Sequence, residues 1–134
     1  MPVTVYLDTS FLMLSAKFHL DILSEAEKRL QGRVQFAVPK AVLTELKGLA
    51  RSFGAPGRDA RVALKLITER KIPYISAGES DADSALIEAS RLPNVIVATA
   101  DLELRRKIRS AGKPVILFRE KAKLELEGIE ASYW

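Results

Sequence analysis

Four acidic residues interrupt apolar stretches of this chain: Asp8 in "VTVYLDTSFLM", Glu45 in "PKAVLTELKGLAR", Asp83 in "GESDADSALIEAS" and Asp101 in "VIVATADLELRRKI". A carboxylate at the end of a buried strand is costly unless something pairs with it. Taken singly, Asp8 and Asp101 are accounted for as helix N-caps, a role that aspartate, serine and threonine fill well. Glu45 lies on the edge of an apolar stripe of Val42, Leu43, Leu46, Leu49 and Ala50. Three and four positions from it stand Ala41, Val42, Gly48 and Leu49, none of them basic. That predicts a half-buried glutamate or one paired with a cation from elsewhere; a solvated helix charge is the plainer outcome. Asp83 projects between Leu86 and Ile87, which turns it toward the sheet, while Asp81 points to the opposite side; a capping box of Ser80 and Asp83 is the competing account. Four carboxylates at one sheet edge cannot all stay ionised without cations. Hard oxygen ligands favour Mg²⁺ or Mn²⁺, ions that promote phosphodiester hydrolysis.

The elements that must position these acids alternate along the chain. Val3–Leu7, Val34–Val38, Ile72–Ser76, Asn94–Ala98 and Val115–Phe118 read as five strands, several of them continuous apolar runs. Such runs fit a parallel sheet buried on both faces. Helices are expected within 11–30 (one or two), from Pro39 onward, and over 59–70, 81–91 and 102–111, with Gly112 as a stop and Pro114 behind it. The tail from Lys121 to Gly128 reads as a short last helix, and "RSFGAPGRDAR", 51–61, as a flexible loop. Strands alternating with helices predict one doubly wound α/β domain over residues 1–134. In such sheets ligands bind beyond the carboxyl ends of the strands, which is where Asp8 and Asp101 fall.

Composition narrows the chemistry. The chain has 134 residues, no cysteine and one histidine, His19. Disulfides and thiolate metal sites are excluded, and a histidine-based zinc site is disfavoured. His19 is expected to be partly buried and structural. No apolar run approaches the roughly 20 residues of a membrane span, and no signal peptide is expected, so the predicted location is cytoplasmic. The net charge of +4 suits a polyanionic partner, or simply a solvated basic surface.

Together the four segments resemble the PIN-domain ribonucleases, and the likeness runs through most of the chain. "YLDTSFLM" is similar to that family's opening strand–Asp–Thr/Ser motif. "LTEL" is similar to the segment carrying its second acid, "DADSALIEAS" to its third-acid helix and "VATADLELRRKI" to its fourth-acid block. The resemblance is greatest to an archaeal branch related to ribosomal-RNA-processing nucleases and to toxins of toxin–antitoxin pairs. It implies a three-layer α/β/α sandwich around a mainly parallel, five-stranded sheet, and a Mg²⁺- or Mn²⁺-dependent endoribonuclease. Asp8, Glu45, Asp83 and Asp101 would be the catalytic, metal-holding acids. Ser10 and Thr99 match hydroxyl positions that help hold the metal or its ligands, with capping as their other reading, and Glu103 matches a further acid of some members. The partners implied are RNA, a second copy of the chain, and an antitoxin or a ribosome-assembly complex.

An acidic pocket repels RNA, so basic flanks are needed. Lys47 and Arg51 flank Glu45, Arg58 lies in the expected loop, and Arg105 and Arg106 follow Asp101; each alone also reads as plain surface charge. Among aromatics, Tyr6, Phe36 and Phe118 read as core, leaving Phe53, Tyr74 and Tyr133 open for base stacking. The alternative is a non-catalytic RNA- or protein-binding module of the same fold. A receiver-type phosphoacceptor domain fits poorly, because no acidic pair lies near the first strand and Lys113 precedes the fifth strand rather than following it.

Overall fold

The computed structural model describes residues 2–31, 33–76, 81–119 and 123–129. Among them are six strands: β1 (Val3–Leu7), β2 (Val34–Pro39), β3 (Tyr74–Ile75), β4 (Val95–Thr99), β5 (Val115–Arg119) and β6 (Lys123–Glu127). The helices are α1 (Thr9–Lys17), α2 (Ile22–Arg29), α3 (Lys40–Leu49), α4 (Gly54–Glu69), α5 (Ala82–Ser90) and α6 (Leu102–Ser110). The strands form one sheet in the order β3-β2-β1-β4-β5-β6, parallel except for β6 against β5. Helices α1, α3 and α4 pack on one another, as do α5 and α6; with the right-handed crossovers that parallel strands favour, this strand order puts α1 to α4 on one face and α5 and α6 on the other. The expected three-layer α/β/α sandwich is therefore borne out. Its centre is apolar throughout: every residue of β4 is buried, and Phe11, Leu12, Leu46, Leu86, Ile96, Leu104 and Ile116 are fully enclosed. That is why β1 and β4 read as mainly apolar runs rather than alternating ones.

Two expectations are corrected. The tail is a strand, not a helix: in "KLELE" alternate residues face opposite sides, and Leu124 buries against the core while Lys123 and Glu125 stay exposed. It pairs antiparallel with β5, Leu117 opposite Glu125, and makes the sheet six-stranded. The stretch 51–61 is not a loop throughout, since α4 begins at Gly54. Pro56 is tolerated there because a first helical turn uses no N–H of its own. Smaller shifts are terminal. Strand three shrinks to Tyr74–Ile75, and the 11–30 segment divides into two helices at a turn where His19 takes φ 53°. His19 is exposed there rather than partly buried.

This topology fixes where a ligand can enter. From β1 the chain runs to β2 and β3 on one side; it then crosses back to β4 and continues to β5 on the other. β1 and β4 are adjacent and parallel, and their outgoing connections diverge, which opens a crevice at their carboxyl ends. Register pairs Leu7 with Ala98, so Asp8 and Thr99 follow side by side.

The α3–α4 turn supplies a test of the packing. A Cβ at Gly57 would fall 1.9 Å from the Ser52 carbonyl oxygen, whereas one at Gly48 meets nothing within 4 Å. Gly57→Ala is expected to cost about 1–3 kcal/mol of stability. Gly48→Ala should gain up to about 1 kcal/mol. Urea denaturation of both variants reads the difference; shifts of the same sign would show that the turn yields freely.

Candidate active site

Asp8 is the hub of the crevice. It is 5% exposed, at the N-cap of α1, and its Oδ1 accepts the Thr9 N–H at 2.7 Å. Its Oδ2 accepts the Ser10 hydroxyl at 2.8 Å and the Thr99 hydroxyl at 2.6 Å. Each hydroxyl also accepts: Ser10 Oγ takes the Ala100 N–H at 3.0 Å, and Thr99 Oγ1 takes the Asp101 N–H at 3.0 Å. The ends of β1 and β4 are thus tied by side chains where the backbone ladder stops. A short Asp-Thr-Ser segment does this because a helix start leaves its first N–H groups free to bind an acceptor.

The other three acids surround this hub differently. Asp101 caps α6, its Oδ1 accepting the Glu103 and Leu104 N–H groups at 2.9 and 3.2 Å, which leaves Oδ2 out of the cap. Asp83 lies in the first turn of α5 and is exposed rather than turned onto the sheet; Ala82, Ala85, Leu86 and Ala89 form the buried face instead. Asp83 nevertheless feels the charges of both Asp8 and Asp101. The cap of α5 is Asp81, which accepts the Ser84 N–H at 2.8 Å, and Ser80 lies outside the described residues. Glu45 is exposed and has no cation partner among the described residues. Its Oε1 accepts the Thr9 hydroxyl at 2.5 Å, so Thr9 joins Asp8 to Glu45 through its N–H on one side and its hydroxyl on the other. Sequence reasoning missed this role for Thr9. The signal available was its position beside Asp8, where either hydroxyl of a Thr-Ser pair can face the crevice.

The remaining candidates divide into bound and free. Glu103 is ion-paired to Arg106 at 2.5 Å on the exposed side of α6, and does not join the acid group. Arg105 makes a bidentate pair with Glu127 of β6, at 2.7 and 2.6 Å. Both arginines are therefore already neutralised. Lys47, Arg51 and Arg58 are exposed and make no ion pair among the described residues. Phe53, beside Arg51, is 98% exposed, and Tyr74 is also exposed, while Tyr133 lies outside the described residues. Lys107 is the cation whose charge reaches Asp83.

Charge is unbalanced at the centre. Burial pushes the Asp8 carboxyl above its usual value; the Thr99 and Ser10 hydroxyls and the Thr9 N–H pull it back, and the Glu45 charge pushes it further. Asp83 is also raised, first by desolvation, then by Asp8, Asp101 and Asp81, against Lys107. This surplus of oxygen donors, with no sulfur or imidazole among them, suits a hard divalent ion in chemistry and in charge. The four acids expected to converge do not form a ready-made metal site: among the described residues no group of three or more such side chains is placed to hold a metal ion. Mg²⁺ does not require one, because it keeps several waters and takes one or two carboxylates.

A pH test follows from the sign of the Asp8 shift. A raised acid favours its protonated form in the fold, so the stability it contributes is full below the ordinary value of 3.8 and is lost as pH rises through the raised value. Asp8→Asn stays neutral and escapes that loss. In chelator near neutral pH its Tm should equal or exceed that of the unsubstituted chain, with the gap closing as the pH falls. A variant that melts lower at neutral pH in chelator would show that the three hydrogen bonds outweigh burial.

Comparison with known proteins agrees with this architecture. The chain is 30% identical over 125 residues to Ribonuclease VapC4 of Methanocaldococcus jannaschii, covering 91% of this chain and 95% of that protein. It is 24% identical to the rRNA-processing protein FCF1 homolog of Mus musculus, across 98% of this chain but 65% of that protein. Among solved structures, that of the PIN domain endonuclease Utp24 superimposes with a TM-score of 0.78 at 21% identity, covering 96% of this chain and 93% of that chain, a likeness of fold. The family described as PIN like domain matches residues 5–121, from the middle of β1 past the end of β5. By that match, and by its likeness to the archaeal ribonuclease, the chain belongs to the PIN-like domain family.

Proposed function

We propose that this chain is a divalent-metal-dependent endoribonuclease, acting either as the toxin of a toxin–antitoxin pair or in ribosomal-RNA processing. The observation that carries the reading is the Asp8 carboxylate: 5% exposed, held by three hydrogen bonds, and with no cation paired to it among the described residues. A buried charge arranged in this way is incomplete without a counter-ion. The names of the relatives supply the substrate class, ribonuclease in one case and rRNA processing in the other.

Asp8, Asp83 and Asp101 would hold one or two Mg²⁺ or Mn²⁺ ions, with Glu45 completing the ring or orienting a water. When bound, such an ion supplies Lewis acidity toward the phosphodiester and its attacking water. The chain's own residues supply position. Thr99 and Ser10 fix the Asp8 carboxylate by donating to one of its oxygens, and the α6 N–H groups fix Asp101. Thr9 holds Glu45 on the opposite side of Asp8 from Thr99. Exposed Lys47, Arg51 and Arg58 are among the basic groups available to the RNA backbone. An antitoxin, a ribosome-assembly complex or a second copy of the chain would be the protein partner.

Cleavage of single-stranded and loop-containing RNA in Mg²⁺ or Mn²⁺ tests the reading. Asp8→Asn and Asp101→Asn should each lower the rate by at least about 100-fold, and Thr99→Val, which removes one hydrogen bond to Asp8, by about 10–100-fold. Asp81→Asn, which alters the α5 cap and a minor charge on Asp83, should stay near the unsubstituted rate. RNA that binds but is left intact by the unsubstituted chain in either metal would favour the non-catalytic binding module.

A further inference from the structure

A cleft of about 570 Å³ opens beside Asp101, and the acid group does not use it. Ala100 and Leu102, the chain neighbours of Asp101, lie on its wall. So does Leu14, one helical turn, about 6 Å, beyond Ser10. Its floor is aromatic. Phe118 is buried, and Phe18 lies nearly parallel to it, with ring centres 6.2 Å apart and planes at 16°. Phe11 meets Phe118 edge-on at 6.0 Å and fixes that ring from below. Phe18 is therefore a flat, supported ring, and it is 43% exposed, while Leu102 at the rim is 62% exposed.

Cations stand over and beside this apolar floor. Lys17 Nζ lies over the face of the Phe18 ring, 5.6 Å from its centre. Arg119 and Lys123 stand at its wall, where the one acid among the described residues, Glu125, is paired with Arg119 at 3.1 Å. A flat apolar floor with cations over and beside it matches a planar ring carried on an anionic chain. An apolar protein segment would gain nothing from those cations.

We propose that this cleft is a nucleobase subsite: an unpaired base of the strand takes the place of the Lys17 ammonium over Phe18, and the phosphates on either side of it approach the displaced Lys17 and Lys123. It rests on the ribonuclease reading and deepens it. The base held belongs to a nucleotide next to the bond cut at the acid group, because the cleft begins one residue from Asp101. Single-stranded or looped RNA satisfies this and a continuous duplex does not, since a paired base has no free face to offer.

The experiment uses the cleavage-blocked Asp8→Asn chain and a short single-stranded RNA carrying one 2-aminopurine, moved along the strand in successive probes. One position should be quenched on binding. Adding Phe18→Ala should abolish that quench and weaken binding by about tenfold, the size expected of one base–aromatic stack. Phe18→Tyr should retain both. Leu102→Ser, at an exposed rim position where folding is not at stake, should weaken binding by a few-fold. A complex that forms with no position quenched overturns the proposal, as does unchanged quenching in Phe18→Ala and Leu102→Ser. If those variants bind RNA normally but lose a dimer seen by light scattering, the cleft is a protein contact and the proposal is wrong. A Phe18-dependent quench without cleavage by the unsubstituted chain would sustain the subsite and reject the nuclease. Cleavage without any quench would do the reverse, and no RNA binding at all would reject both.

Discussion

A carboxylate is buried at the carboxyl end of a central strand, and the surrounding structure is arranged around its charge. Asp8 is enclosed because β1 lies between β2 and β4 under helices on both faces. It is tolerated because three donors from two strand ends converge on it. Those donors converge because β1 and β4 are neighbours in register, which puts Thr99 opposite Asp8. The same two hydroxyls accept the Ala100 and Asp101 N–H groups, so the start of α6 is set by the network that holds Asp8. Strand order, helix start and acid position are thus one arrangement.

Charge is organised in two zones. At the centre the acids outnumber the cations, and burial and mutual repulsion raise Asp8 and Asp83. Around it several acids are paired: Arg105 with Glu127, Arg106 with Glu103, Arg119 with Glu125 and Arg70 with Glu27. Exposed pairs of this kind add little stability. Their larger effect is to neutralise charge around the crevice, while Lys47, Arg51, Arg58 and, beside Asp83, Lys107 stay exposed with no ion pair among the described residues. That contrast suits a polyanion whose cleavage site must sit on a cation.

Much of this was legible from the residues alone, for physical reasons. Mainly apolar runs identify β1 and β4 because both faces are covered, and an aspartate one or two positions after each stands where a helix begins. What stayed hidden depends on contacts between distant segments. The five residues of "KLELE" alternate too briefly to distinguish a strand from a helical turn until β5 offers an edge. The glycines and proline of the 51–61 stretch suggested a loop, although a helix's first turn accepts both. Arg105 and Glu127 are far apart in sequence and pair only once β6 is in place. Thr9 reaches Glu45 across 36 positions, and Phe18 becomes a floor only when Phe118 lies beneath it.

The central claim is that the buried Asp8 charge anchors a cation. Calorimetric titration of the unsubstituted chain, Asp8→Asn and Asp81→Asn with Mn²⁺ tests it most directly. Saturable binding is expected for the unsubstituted chain and for Asp81→Asn, with an affinity at least about tenfold weaker for Asp8→Asn. Equal Mn²⁺ affinity in all three chains would contradict it.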